Sequence, residues 1–208
     1  IMTSVTLARP LLLASASPRR AELLQQLAVP FQVVPGSYEE PPPSPGVDIL
    51  AYLRHTALEK ARSVAPALPP APVVILGADT LVLAPGGQAC LRGEPVEVMG
   101  KPRDPDDALR MLRVLSGRTH TVASAFALLR HPEGEAVCEV VETRVRFRTV
   151  TEREIAAYLA TGEPLDKAGA YGIQGRGAVL IDGIDGDYYT VVGLPLARLW
   201  QQLQPYLR

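Results

Sequence analysis

Leu11-Leu12-Leu13-Ala14-Ser15-Ala16-Ser17-Pro18-Arg19-Arg20 reads as a buried strand, a small-residue turn and the start of a helix. Ser17 stands at the N-cap. Pro18 takes the first helical position, where its missing N–H costs nothing. The helix continues through Ala21-Glu22-Leu23-Leu24-Gln25-Gln26-Leu27. A helix start offers unpaired N–H groups and the positive end of a dipole, and both favour anions. Arg19 and Arg20 oppose that dipole unless something anionic sits beside them, so the stretch points to a phosphate-bearing ligand. The competing reading is an ordinary Ser-Pro helix start with two solvated arginines, and this segment alone does not separate the two.

Downstream, Phe31-Gln32-Val33-Val34 reads as a strand, and the block Pro41 to Pro45 as a surface loop, because proline neither continues a helix nor donates to a sheet. Asp48 to Val64 has helical spacing, with Leu50, Leu53, Ala57, Leu58 and Ala61 on one face. Val73-Val74-Ile75-Leu76-Gly77 predicts a central strand ending just before Asp79. Pro85-Gly86-Gly87 predicts a turn, and Gln88 to Met99 an irregular excursion. Asp104-Pro105-Asp106-Asp107 opens a helix that closes at Ser116-Gly117. His120 to Leu129 and Val137 to Val150 read as a long antiparallel pair. Thr151-Glu152-Arg153-Glu154 is a capping box. Val179-Leu180-Ile181 predicts a strand, Asp182 to Asp187 a polar turn, and Pro195 to Leu207 a last helix. Helices alternating first with single strands and then with a hairpin predict a mixed α/β sheet, in one domain over residues 1–208.

The 208 residues carry a net charge of −1, so nothing basic overall invites nucleic acid, and phosphate binding must come from a local cluster. The two cysteines, Cys90 and Cys138, form no CxxC pattern, which disfavours zinc and a disulfide framework. Val73 to Ala84 is too short to span a bilayer, and the N-terminus shows no long signal-peptide core. The expectation is a cytoplasmic chain with reduced thiols and no membrane or nucleic-acid partner.

Asp79 is the first candidate for chemistry. A carboxylate at the end of a buried strand can hold a divalent cation or take a proton from water, although an Asp-Thr pair also commonly forms turns. Lys60, Arg62, Lys101 and Arg103, with Arg19 and Arg20, offer a basic lining for a polyphosphate. Asp166 to Gly177 is glycine-rich without being a GxGxxG element, and it supplies Lys167, Tyr171 and the amide of Gln174, which suits a nucleobase edge. His55, His120 and His131 lack metal-ligand spacing and read as structural or solvated. With no GxSxG elbow and no cysteine motif, metal-assisted attack by water is favoured over covalent catalysis.

The ordered set Ser15-Ala16-Ser17-Pro18-Arg19-Arg20, Glu59-Lys60-Ala61, Gly77-Ala78-Asp79-Thr80, Gly100-Lys101-Pro102, Leu115-Ser116-Gly117-Arg118-Thr119-His120 and Asp166 to Gly175 resembles the Maf family of nucleoside triphosphate pyrophosphatases, colinearly over nearly the whole chain. The resemblance implies an elongated mixed sheet flanked by helices, with two lobes around a central cleft, of the Maf/ITPase-like kind. It implies hydrolysis of a nucleoside triphosphate to monophosphate and pyrophosphate with Mg²⁺ or Mn²⁺, by a homodimer. Carried over by position, Asp79 is the general base. Arg19, Thr80 and Gln174 set base specificity. Ser15, Arg20, Lys60 and Lys101 hold phosphates, and Glu40 with Asp79 binds metal. Tyr171-Gly172-Ile173-Gln174-Gly175 resembles the branch acting on dTTP and UTP. The alternatives are the 7-methyl-GTP branch and a non-catalytic nucleotide-binding regulator of cell division. The proline block and the long segment between Thr80 and Lys101 depart from the family pattern.

Overall fold

The computed structural model describes residues 6–208; residues 1–5, part of the segment read for signal-peptide character, lie outside that range. The elements in order are β1 (Leu11–Leu13), α1 (Pro18–Gln25), β2 (Phe31–Val33), α2 (Ile49–Arg62), β3 (Val73–Leu91), β4 (Glu94–Met99) and α3 (Pro105–Leu115). They continue as β5 (Thr119–His131), β6 (Ala136–Phe147), α4 (Glu152–Leu159), β7 (Ile181–Asp185), α5 (Tyr188–Val192) and α6 (Leu196–Leu203). One seven-stranded sheet has the order β2-β1-β3-β5-β6-β7, with β4 also paired to β3. The first three strands are parallel and the other pairings antiparallel, so the expected mixed α/β sheet is present.

The side chains of β3 and β5 divide between the two faces. On one face Ala123, Ala125 and Ala127 of β5, all fully buried, let α2 lie close through Ile49, Leu53 and Ala57. Close approach is sharpest at Gly77, where an added Cβ would sit 2.1 Å from the Ala57 carbonyl oxygen and 2.7 Å from the Ala61 nitrogen. The opposite face carries two apolar clusters. Ala78, Phe126 and Leu128 pack against α1 and α6, while Val82, Val122 and Phe147 pack against α3 and α4. Between them, at the same-face positions of the paired residues Thr80 and Ser124, the contact is polar: the two hydroxyls are 2.8 Å apart. That polar seam separates two lobes.

Several boundaries differ from those expected. β3 does not end at Gly77; it runs on through Asp79 and Thr80 because β5 pairs with it continuously from Val73 to Leu81. Pro85-Gly86-Gly87 is a bulge inside β3, with both glycines at positive φ, and the chain turns at Arg92-Gly93. Glu94–Met99 is therefore a strand rather than an irregular excursion. Leu180 ends a 3₁₀ turn, and the last strand is Ile181–Asp185, where a polar turn was expected. The short α5, capped by Asp187 through Thr190 N, has too few residues to show a period. The Ser17 hydroxyl makes no cap bond; instead Ser15 Oγ accepts from the Ser17 amide at 3.2 Å. The capping box of α4 forms as read.

Candidate active site

β3 is paired on its outer edge by β1 as far as Leu76 and by β4 only from Val82 onward. Residues 77–81 between them have no strand partner on that side. A cavity of about 680 Å³ opens in this gap, at the carboxyl end of β1. Ligands in open α/β sheets gather in such crevices. The residues given roles by the family resemblance line it: Ser15, Arg19, Arg20, Glu40, Lys60, Asp79, Thr80, Lys101 and Gln174. Arg62 and Arg103 do not; they pair with Glu59 and Asp107 elsewhere.

Consecutive residues of β3 point to opposite sheet faces. Asp79 faces α2, where Lys60 Nζ donates to Asp79 Oδ1 at 2.7 Å and to Glu40 Oε2 at 2.8 Å. Asp79 Oδ2 is buried and has no hydrogen-bond partner. Burial raises the Asp79 carboxyl above its ordinary value and the neighbouring Glu40 adds to this, against the pull of Lys60 and Arg20. Thr80 faces the other way and accepts from Arg20 Nη2 at 3.3 Å. Arg20 also donates to the Gly193 carbonyl at 3.1 Å and to Ser15 Oγ at 3.4 Å. These three partners are neutral, so the Arg20 charge is not cancelled by a directly bonded carboxylate. Burial lowers the Arg20 pKa, opposed by the charge of Asp79.

Arg19, on the same helical turn, is bound differently. Its Nη1 donates to Asp166 Oδ2 at 2.8 Å and its Nη2 to the Asp166 carbonyl at 3.2 Å. Asp166 Oδ1 takes Lys167 Nζ at 2.7 Å. Partial burial alone would raise the Asp166 carboxyl, but bonds from Lys167 and Arg19 hold it down at about 2.

Two supports were missed from sequence. Tyr52, half-buried on α2 against the Ile49 and Leu53 cluster, brings its hydroxyl to 2.9 Å from Glu40 Oε1 and 2.7 Å from the Pro41 carbonyl, fastening the proline block to the helix. Glu163 accepts from the Arg176 and Gly177 amides and from Tyr158 OH, which itself accepts from the Gly172 amide. Together they shape the loop presenting exposed Gln174. Neither residue lies in a motif; the only advance signal was the need of a glycine-rich loop for outside anchors. His120 is structural: buried beside Phe147, its Nε2 lies 2.7 Å from Tyr171 OH, and burial lowers its pKa to about 4.

A family model described as Maf-like protein matches residues 10–206. The chain belongs to the Maf family. A dTTP/UTP pyrophosphatase of Moorella thermoacetica is 50% identical over 198 residues, 93% of this chain and 93% of that protein. A dTTP/UTP pyrophosphatase of Dictyoglomus turgidum is 44% identical over 191 residues, 92% of this chain and 93% of that protein. A crystal structure of a nucleoside-triphosphatase / dITP/XTP pyrophosphatase from Mycobacterium abscessus aligns with 94% of this Maf chain and 95% of its own, at 20% identity and a TM-score of 0.43, a likeness too remote to bear on the chemistry.

Proposed function

We propose that this Maf-family chain is a nucleoside triphosphate pyrophosphatase that hydrolyses dTTP and UTP to the monophosphate and pyrophosphate. The observation that carries the reading is Asp79: a buried carboxylate with one oxygen held by Lys60 and the other free, on the wall of a cavity that also holds Arg20 and Lys101. The names of the half-identical relatives support the substrate class.

In this reading Arg20, Lys60 and Lys101 neutralise the triphosphate, and Ser15 adds a hydroxyl donor. Lys60 orients Asp79 through Oδ1, leaving Oδ2 to take a proton from the water that attacks the α-phosphorus as pyrophosphate leaves. A carboxyl raised by burial is a better base than an ordinary one near neutral pH. Arg19, Thr80 and Gln174 select the base.

The donor set fits a divalent cation of the Mg²⁺ or Mn²⁺ kind. Asp79 and Glu40 supply hard carboxylate oxygens, and both reach the Lys60 ammonium, so the two acids stand side by side and would hold the ion between them. Among the described residues no group of three potential ligands gathers, in keeping with an ion that takes its remaining ligands from phosphate and water. Bound there, the ion would polarise the scissile phosphate and offset its charge. The homodimer and the cytoplasmic setting belong to the same proposal, the latter supported by two free cysteines; no helix among the described residues is long and apolar enough to cross a membrane.

The test is pyrophosphate release from dTTP, UTP, CTP, GTP, ATP and 7-methyl-GTP with Mg²⁺ and with Mn²⁺. Release mainly from dTTP and UTP supports the proposal. Release only from 7-methyl-GTP overturns the specificity, and no release from any of them overturns the enzyme.

A further inference from the structure

Arg19 and Arg20 are neighbours on one helical turn and line one cavity, yet their surroundings are opposite in kind. Arg20 bonds only to neutral oxygens, whereas Arg19 is engaged by Asp166 through both a carboxylate oxygen and the backbone carbonyl. Two contacts on two terminal nitrogens fix the plane of a guanidinium, not merely its position. The carboxylate also offsets part of its charge toward a second anion. Asp166 is itself steadied by Lys167, whose Nζ bonds both Asp166 Oδ1 and the Glu163 carbonyl. The contact joins the start of α1 to the glycine-rich loop that carries Gln174, and both partners line the cavity.

We infer that Asp166 is a specificity-positioning residue: it withholds Arg19 from the triphosphate and presents its remaining N–H donors, in a fixed plane, to the base edge opposite Gln174. The two arginines are thereby sorted, Arg20 for charge and Arg19 for shape. This rests on the nucleotide-binding reading above, and it adds the residue that makes Arg19 selective. Without the Asp166 charge, Arg19 is a mobile cation near a polyphosphate, and a mobile cation prefers the phosphates.

The experiment is calorimetric binding of the non-hydrolysable α,β-methylene analogues of UTP and CTP, and of inorganic tripolyphosphate, to wild type and Asp166→Asn. Asparagine keeps the shape and removes the charge. The expected result is a fall of about tenfold in the UTP-to-CTP analogue preference, with tripolyphosphate binding several-fold tighter. An unchanged preference, or equal weakening toward all three probes, overturns the inference, the latter by showing that Asp166 is only a loop brace. Should Asp166→Asn fail to fold by circular dichroism, Arg19→Lys takes its place: it keeps the ion pair and loses the planar fork, so the preference must fall by a similar factor, and an intact preference overturns the inference equally. Because binding is read without turnover, a wild type that binds selectively but releases no pyrophosphate defeats the hydrolase reading and leaves this test standing.

Discussion

Replacing Gly77 by alanine should damage both stability and turnover, although Gly77 touches no proposed substrate group. An added Cβ would lie 2.1 Å from the Ala57 carbonyl oxygen, 2.7 Å from the Ala61 nitrogen and 3.1 Å from the Ala61 side chain. The first two obstacles are helix backbone, which has no rotamer to yield. Restoring ordinary contact requires α2 to move off the sheet by about 1 Å, in an interior packed nearly as densely as a crystal. Overpacking of this kind costs about 2–3 kcal/mol, or a midpoint lowered by about 5–10 °C in a domain of this size. The same displacement carries Lys60 from its 2.7 Å contact with Asp79, and misplacement by about 1 Å costs on the order of a hundredfold in rate. Thermal unfolding followed by circular dichroism reads the first effect, and steady-state pyrophosphate release at a temperature well below the lowered midpoint reads the second. A Gly77→Ala protein with wild-type midpoint and wild-type kcat would refute the claim that contact between α2 and β3 sets the geometry of the site.

Asp79→Asn should lower kcat by about 10²–10⁴, the usual share of a general base, while its thermal midpoint at neutral pH is unchanged or higher, because burial of the charged carboxylate is a cost the amide escapes; a lower midpoint contradicts the burial argument. Gln174→Glu should alter the ranking of nucleotides in the release assay, since a carboxylate cannot donate to a base as the amide does. An identical ranking removes Gln174 from base selection. His120 has a folded pKa of about 4 against an ordinary 6.5, so the unfolded chain takes up the proton first and stability drains away as pH falls from about 6.5 to 4, by about 3 kcal/mol in all. Urea unfolding of His120→Gln across that range should lack this part of the slope, and a retained slope assigns it to other groups.

The strong local patterns of the sequence were sufficient for α2, α3 and α4. The caps at Asp104 and Thr151 bond as read, Asp48 caps α2 in addition, and α2 and α3 bury the faces their spacing indicates. The length of β3 was not legible, because Gly77 and Asp79 look like the end of a strand when the pairing with β5 that carries the ladder through them is out of view. The strand β4 was hidden for a related reason: Pro95 sits on an edge, where it need not donate to a ladder. At the site, the ordered motifs named the residues that line the cavity, since charge and amide chemistry are written in residue type. The supports were not legible. Tyr52, Glu163 and Tyr158 lie outside the motifs and act through contacts that only the fold creates, and the Asp166–Arg19 pair joins residues 147 positions apart.

Asp79 and Thr80 are adjacent in the chain yet answer to different helices, the first to α2 through Lys60 and the second to α1 through Arg20. Each is therefore bonded from one helix, and what passes between them is the charge of Arg20 felt at Asp79. Only the strand holds the two tasks in phase. A single residue inserted or deleted between Leu76 and Asp79 would turn each side chain to its neighbour's face, exchanging their surroundings at one stroke. Length is therefore held more tightly than residue type in this part of β3, and insertions and deletions belong instead in the bulge at Pro85-Gly86-Gly87, where length alters no facing.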